Sequence, residues 1–320
     1  MKALEAIPLA EIRAARERIA GSVMRTPLVR LNVDDAPAEI HLKLENLQPI
    51  GSFKLRGAGN AMVRAGRQAL ANGVCTASAG NMAQGVAWWA RRLGIPCTVV
   101  VPDHAPRAKL EAIERLGGRI LTVPFERWWQ VLVERSYPGV EGMFIHPVSD
   151  PDVIAGNGTI GLEILEDLPD VEKILVPYGG GGLASGIASA VRGLGARAQV
   201  LACEVETAAP LSAALRAGAP CPIEYAPSFV DGIGGRGLLE EMWPLVSELL
   251  AGALVSSIAE IADSIRILAT RNRVIAEGAG AAPLAAALAG RAGSGKIVCV
   301  VSGGNLDMAK LREILDGRVP

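Results

Sequence analysis

A lysine at the start of a helix and three glycine-containing turns are the parts of this chain best equipped for chemistry. Lys54 stands in ENLQPIGSFKLRGAGN, residues 45–60. Pro49-Ile50-Gly51 breaks the chain before it, Ser52 is a good N-cap residue, and Leu55, Ala58, Ala61 and Met62 follow at helical spacing. The pattern predicts Lys54 in the first turn of a helix, where the positive end of the helix dipole disfavours an ammonium group. An amine held nearer neutrality is what Schiff-base chemistry requires, against the background that most lysines are solvated surface groups.

Ser78-Ala79-Gly80-Asn81, Gly179 to Gly182 and Ser302-Gly303-Gly304-Asn305 each follow a strand-like run. Ligands of open α/β sheets bind at such strand ends. In the run Gly179-Gly180-Gly181-Gly182, bare backbone lets several N–H groups converge, and a helix from Leu183 adds its positive end. That combination holds a phosphate without a cationic side chain. A flexible surface loop is the bland alternative, and the position between an apolar strand and a helix argues against it. The same run with Leu183 and Ala184 also satisfies GxGxxA, and Glu204 closes the next strand where a ribose-binding acid would sit. An NAD-dependent oxidoreductase is therefore a second reading, one that leaves Lys54 and the other two turns without a task. A non-catalytic small-molecule binder is a third.

Composition narrows the class. The 320 residues suffice for two domains, and 50% hydrophobic content with 37 glycines suits an α/β protein with many tight strand-to-helix turns. A formal net charge of -1 makes no electrostatic case for nucleic acid or an anionic membrane. Cys75, Cys97, Cys203, Cys221 and Cys299 are odd in number, lack CxxC spacing and fall partly in strand-like runs, so a reduced cytoplasmic protein is expected. His41, His104 and His146 are too scattered to form a ligand cluster. The N-terminus lacks an apolar signal segment, and the run Gly278 to Gly290 is too short to span a bilayer.

These residues need a scaffold, and its pattern is readable. A helix is expected over Ala10 to Ala20, with Ile12, Ala15 and Ile19 on one side, followed by a short strand His41 to Leu44. Strands at Val74–Ala77, Cys97–Val101 and Arg119–Val123 then alternate with helices at Met82–Leu93 and Ala108–Leu116. Residues 128–142 show no regular period, and Pro147 to Pro151 reads as a hinge or connection. A second alternation has strands at Lys173–Pro177, Gln199–Glu204 and Lys296–Val301. Its helices are expected at Asn157–Leu168, Leu183–Arg192, Pro210–Ala217, Ile258–Asn272 and Ala281–Ala289, with a long loop over Cys221 to Gly237. Apolar strands alternating with helices argue for parallel sheets covered on both faces, here as two α/β domains with a cleft between them.

The stretches ENLQPIGSFKLRGA, SAGN with AQG at 83–85, GGGGL at 179–183 and SGGN at 302–305 come in the order and spacing of a known family. From about Arg25 to Asp307 the chain resembles the fold type II pyridoxal-phosphate enzymes, in the branch of threonine/serine dehydratases (threonine ammonia-lyases) and serine racemases. The resemblance implies an α/β fold of two open parallel-sheet domains of the tryptophan-synthase-β type, with pyridoxal 5'-phosphate in the cleft. It assigns 1–48 with 146–320 to a large domain that holds the cofactor phosphate, and 49–145 to a small one. By the same resemblance Lys54 carries the cofactor and later removes the Cα proton, and Phe53 packs beside the ring. Asn81 bonds the phenolic oxygen, Gly179 to Gly182 with Leu183 hold the phosphate, and Ser302 meets the pyridine nitrogen. Ser78, Ala79, Gly80 and Asn81 form the loop that grips the carboxylate of an amino-acid substrate.

The implied reaction is β-elimination of water from a 3-hydroxy amino acid such as threonine or serine, giving a 2-oxo acid and ammonia. A homodimer is implied as well, and neither a nucleic-acid nor a membrane partner. Departures from the family pattern refine this. Ala79 stands where racemases of this branch carry a serine, so racemisation is disfavoured. Met82 replaces the usual His, either as core filling or as the mark of a bulkier substrate such as phenylserine, hydroxyaspartate or a hydroxyectoine-derived amino acid. Val148 and Asn157 differ on the same side. Glu204 matches one ligand of a cation site found in some relatives, but the second falls near Pro210, so no metal is expected. Glu277 resembles a carboxylate near the cofactor, with a helix-capping or buried ion-pair role as the equal alternative. The chain ends soon after SGGN, so no C-terminal regulatory domain and a catabolic role are expected.

Overall fold

The computed structural model describes residues 3–105, 107–233 and 235–320, except for the side chain of Ala108. Its strands are β1 (Leu28–Arg30), β2 (Glu39–Leu44), β3 (Val74–Ala77), β4 (Cys97–Pro102), β5 (Arg119–Val123) and β6 (Met143–Phe144). They continue as β7 (Lys173–Pro177), β8 (Gln199–Val205), β9 (Gly252–Ser256) and β10 (Lys296–Val301). The helices are α1 (Leu9–Ile19), α2 (Lys54–Ala69), α3 (Asn81–Leu93), α4 (Arg107–Arg115), α5 (Phe125–Glu134) and α6 (Pro151–Asp167). After them come α7 (Gly182–Gly193), α8 (Pro210–Ala217), α9 (Trp243–Leu249), α10 (Ile258–Ile267), α11 (Gly278–Leu288) and α12 (Met308–Leu315).

Two sheets result. One has six strands in the order β1-β2-β10-β7-β8-β9, the other four in the order β5-β4-β3-β6. All pairings are parallel except that of edge strand β1 with β2. The period of two along each strand feeds two cores per sheet. In β7, Leu175 faces one core with Cys299 and Val301, while Ile174 and Val176 face the other with Val298 and Val300. In β4, Val99 and Val101 join one core of the smaller sheet and Val100 the other. Burial on both faces is why these strands read as unbroken apolar runs. No helix among the described residues is long and apolar enough to cross a membrane.

Several local expectations are corrected. Residues 128–142 include most of a helix, α5, of which Val131 and Leu132 are buried. Residues 147–150 form a connection, but Pro151 already starts α6, with Asp150 Oδ1 accepting from Asp152 N (2.8 Å), so α6 begins before Asn157. Strands β1 and β9 and helix α9 escape the sequence pattern, each being short. The expected loop over Cys221 to Gly237 is irregular where described, with Gly234 outside the described residues.

One buried ionic cluster fixes the helix that begins with Lys54. Arg56 on α2 donates from Nε and Nη2 to Glu45 (2.8 Å each), and from Nη1 to Glu163 Oε1 (2.7 Å) on α6. Lys43 on β2 donates to Glu163 Oε2 (2.6 Å) and to the Thr26 carbonyl (2.7 Å). Two cations balance two carboxylates, as burial of charge demands.

Candidate active site

Lys54 opens α2, as its spacing suggests, but Ser52 does not cap that helix. Phe53 occupies the cap position, and the Ser52 hydroxyl is buried without a partner. The start of α2 is held from outside by the turn after β10: Phe53 N donates to Ser302 O (2.9 Å), Gly304 N donates to Gly51 O (2.9 Å), and Ser52 bridges Gly303. Two of the four motifs are therefore sewn together by backbone. The Lys54 amine donates to the Pro147 carbonyl (2.8 Å) and lies 5.1 Å from the centre of the Phe53 ring. Burial pushes its pKa down to about 8, and the nearby Glu277 carboxylate opposes the shift. The direction agrees with the helix-start argument, but the cause is loss of water.

The turn after β3 joins the same cluster. Asn81 Nδ2 donates to Glu277 Oε1 (2.7 Å), and Asn81 Oδ1 accepts from Asn305 Nδ2 (2.8 Å). Gly80 N donates to Ser78 Oγ (3.2 Å), and a Cβ placed on Gly80 would meet nothing within 4 Å. Helix α3 has no side-chain cap, so its first N–H groups stay free to receive a carboxylate. Ala79 is half-buried beside them. Glu277 itself is buried, and burial followed by the Asp231 carboxylate pushes its pKa up to about 7.

The glycine run after β7 lies against the connection that follows β6. A Cβ on Gly180 would stand 2.5 Å from both Val148 methyl carbons, and one on Gly182 would stand 2.7 Å from the Val148 carbonyl oxygen. Gly181 has φ +93°, a conformation that side chains resist. Gly179 packs on Ile233 and Gly232, and Gly232 in turn faces Glu277. Like α3, α7 starts without a side-chain cap, and the Ser185 hydroxyl one turn in is buried and unpaired. The Leu183 side chain is buried in the core, which leaves only its backbone N–H for a ligand. Asn157 donates to the Gly182 carbonyl (3.3 Å) from beneath the loop.

The pieces fit a phosphorylated aldehyde cofactor: a bare-backbone cradle at a helix start, a buried amine of lowered pKa, and a small buried hydroxyl at Ser302. The dinucleotide reading does not fit. Glu204 is fully buried and holds the start of α8, accepting from Leu211 N (2.8 Å), Ser212 N (2.8 Å) and Ser212 Oγ (2.6 Å), which keeps its carboxylate out of a ribose's reach. Met82 is buried in the core of the smaller sheet, which favours the core-filling reading.

Comparison with known proteins decides the family. The model of the family described as "Pyridoxal-phosphate dependent enzyme" matches residues 19–303. This chain belongs to that family. Among its relatives, the L-threonine ammonia-lyase of Thermotoga maritima is 39% identical over 315 residues, covering 97% of this chain and 78% of the relative. The catabolic L-threonine dehydratase of Escherichia coli is 35% identical over 315 residues, 96% of each chain. The structure of maize serine racemase superposes with a TM-score of 0.88 at 33% identity over 98% of both chains. The family assignment gives the protein pyridoxal phosphate as cofactor and enzymatic chemistry as its role.

Glu277 and Asn305 deserve more weight than sequence reasoning allots them. Asn305 stands in the glycine turn after β10, whereas Glu277 stands at the start of α11 beside Gly278, where the sequence signal is a helix start and not a strand end.

Proposed function

We propose that the protein is a pyridoxal-phosphate-dependent ammonia-lyase that removes water from a 3-hydroxy amino acid, threonine or serine by default, and yields a 2-oxo acid and ammonia. The observation that carries this is the Lys54 amine, held at 2.8 Å from the Pro147 carbonyl with its pKa near 8, beside the Asn81–Glu277 pair and the turn of Ser302. The names of the relatives at 35–39% identity over nearly the whole chain support the same reaction.

When bound, the cofactor supplies an electron sink for negative charge at the substrate Cα. The residues of the chain do the rest. Gly179 to Gly182 and the Leu183 N–H would hold the phosphate, Phe53 would flank the ring, and Asn81 would donate its remaining N–H to the phenolic oxygen. Ser302, as a neutral hydroxyl, cannot stabilise a charged ring nitrogen as a carboxylate would. The sink is thereby weakened, which favours early departure of the β-hydroxyl. Ser78, Ala79, Gly80 and Asn81 would receive the substrate carboxylate at the start of α3, and Lys54 Nζ would take the Cα proton. Ala79 has no proton to offer from the opposite side, which speaks against racemisation.

We assign residues 1–48 and 146–320 to a larger domain and 49–145 to a smaller one, because the six-stranded sheet draws only on the former and the four-stranded sheet only on the latter. A cytoplasmic homodimer completes the reading. Four buried cysteines without disulfides support a reducing compartment, and the dimer is carried over from the resemblance. A panel of 3-hydroxy amino acids, including phenylserine and hydroxyaspartate, assayed for 2-oxo acid and ammonia tests the reaction. Turnover of threonine or serine is expected. Bound cofactor with no 2-oxo acid from any of them would refute it.

A further inference from the structure

The Asn305 side chain touches both halves of the site. Its Nδ2 donates to Asn81 Oδ1 (2.8 Å) and to the Ile50 carbonyl (2.9 Å), which uses both hydrogens of the amide. Its Oδ1 lies over Gly51, where a Cβ would stand 2.7 Å away, in a turn that needs φ +72°. Ile50 and Gly51 lead directly into Lys54, and Asn81 opens α3. One amide thus spans the turn that delivers the lysine and the side chain beside Glu277.

The consequence for Asn81 is electrostatic. Its oxygen faces the NH2 of Asn305 and its nitrogen faces the Glu277 carboxyl at 2.7 Å. Turning the Asn81 amide over would set NH2 against NH2 and oxygen against carboxylate, losing two hydrogen bonds and creating two repulsions. With Oδ1 and one N–H committed, Asn81 keeps one N–H in a fixed direction. Glu277 alone would not fix it, because a single bond leaves the amide free to pivot. Gly303 must lack a side chain for this packing, since a Cβ there would lie 2.5 Å from Glu277 Oε1.

We propose that Asn305 is a positioning residue: it fixes the orientation of the Asn81 amide and clamps the Ile50–Gly51 turn, so that the free Asn81 N–H and the Lys54 amine face the same ligand. The proposal rests on the assignment of this site to pyridoxal phosphate. Asn305→Asp keeps the shape and removes both donors, and Asn305→Ser removes the reach.

The test measures three quantities in each variant, in Asn81→Ala and in the Asn81→Ala/Asn305→Asp pair. They are the dissociation constant for pyridoxal phosphate, the pH midpoint of the visible band of the lysine-bound cofactor, and the melting temperature of the cofactor-free protein. Loss of a fixed donor is expected to weaken cofactor binding about tenfold and to move the pH midpoint in both Asn305 variants. Adding Asn305→Asp to Asn81→Ala should move the midpoint less than Asn305→Asp does alone, because the amide being oriented is gone and only the clamp on the Ile50–Gly51 turn is left to lose. An unchanged midpoint and affinity in both Asn305 variants would overturn the proposal, as would a full further shift in the double variant. A fall in melting temperature alone would also overturn it, by showing a purely structural role. If Asn305→Asp does not fold, Asn305→Ser decides on the same readouts. Failure of the unaltered protein to take up the cofactor would instead refute the proposed function.

Discussion

Gly180→Ala should loosen the cofactor cradle, and Val148→Ala should restore it. The added Cβ would stand 2.5 Å from both Val148 methyl carbons, with the rest of the loop held by Gly181 at φ +93°. Overpacking of this kind costs about 1–3 kcal/mol, which is roughly a 5- to 150-fold loss if it falls wholly on cofactor affinity. Truncating Val148 removes the two clashing carbons and leaves its Cβ 3.1 Å away, a contact the backbone can relax. The double variant should therefore recover about 1–2 kcal/mol relative to additivity. Gly182→Ala is the internal control. Its clash is with the Val148 backbone oxygen at 2.7 Å, which no side-chain change removes. Titration of the cofactor-free variants with pyridoxal phosphate, beside urea unfolding, reads both parts of the cost. Equal rescue of both glycine variants by Val148→Ala, or rescue of neither, would refute the packing described for this loop.

Glu277→Gln removes the carboxylate that props up the Lys54 pKa, so modification of Lys54 by an amine reagent in the cofactor-free protein should reach half-rate below pH about 8. The same change has a stability signature. Native Glu277 keeps its proton up to about 7 while the unfolded chain releases it near 4.5, so this group makes stability fall as pH rises through that window. Urea midpoints of the Gln variant across that range should show a shallower fall. Arg56→Met leaves Glu45 and Glu163 with Lys43 as the one remaining cation of the cluster, and should cost about 3–5 kcal/mol, read as a drop in urea midpoint; a loss below about 1 kcal/mol would show that the cluster is not desolvated as described.

The local parts of the site are legible because each lies in a glycine-containing turn between a strand and a helix. Lys54, Asn81, Gly179 to Gly182 and Ser302 fall at the ends of β2, β3, β7 and β10 or shortly after them, where the period of the chain changes from two to 3.6. What the pattern could not carry is pairing at long range. Ser52 has every property of a cap, but the turn of Gly303 supplies the backbone bonds that place α2, and its hydroxyl is left buried. Nothing in the local spacing of Arg56 announces the Glu45 and Glu163 carboxylates that fold around it. Met82 could have faced either a pocket or a core, and its burial among Leu55, Val86 and Ile113 is a tertiary fact. Glu204 suited a ribose by position alone, and the donors of α8 claim it instead.

The central claim is that Lys54 is the amine that carries the cofactor. Borohydride reduction of the protein loaded with pyridoxal phosphate, followed by proteolysis and mass spectrometry, tests it directly. The modified lysine is expected in the peptide that contains Ser52-Phe53-Lys54-Leu55, with loss of the visible band, and Lys54→Ala should leave no reducible adduct with the protein. A reduced adduct at Lys43, Lys109 or any other lysine, or a colourless protein with no adduct at all, would contradict the account.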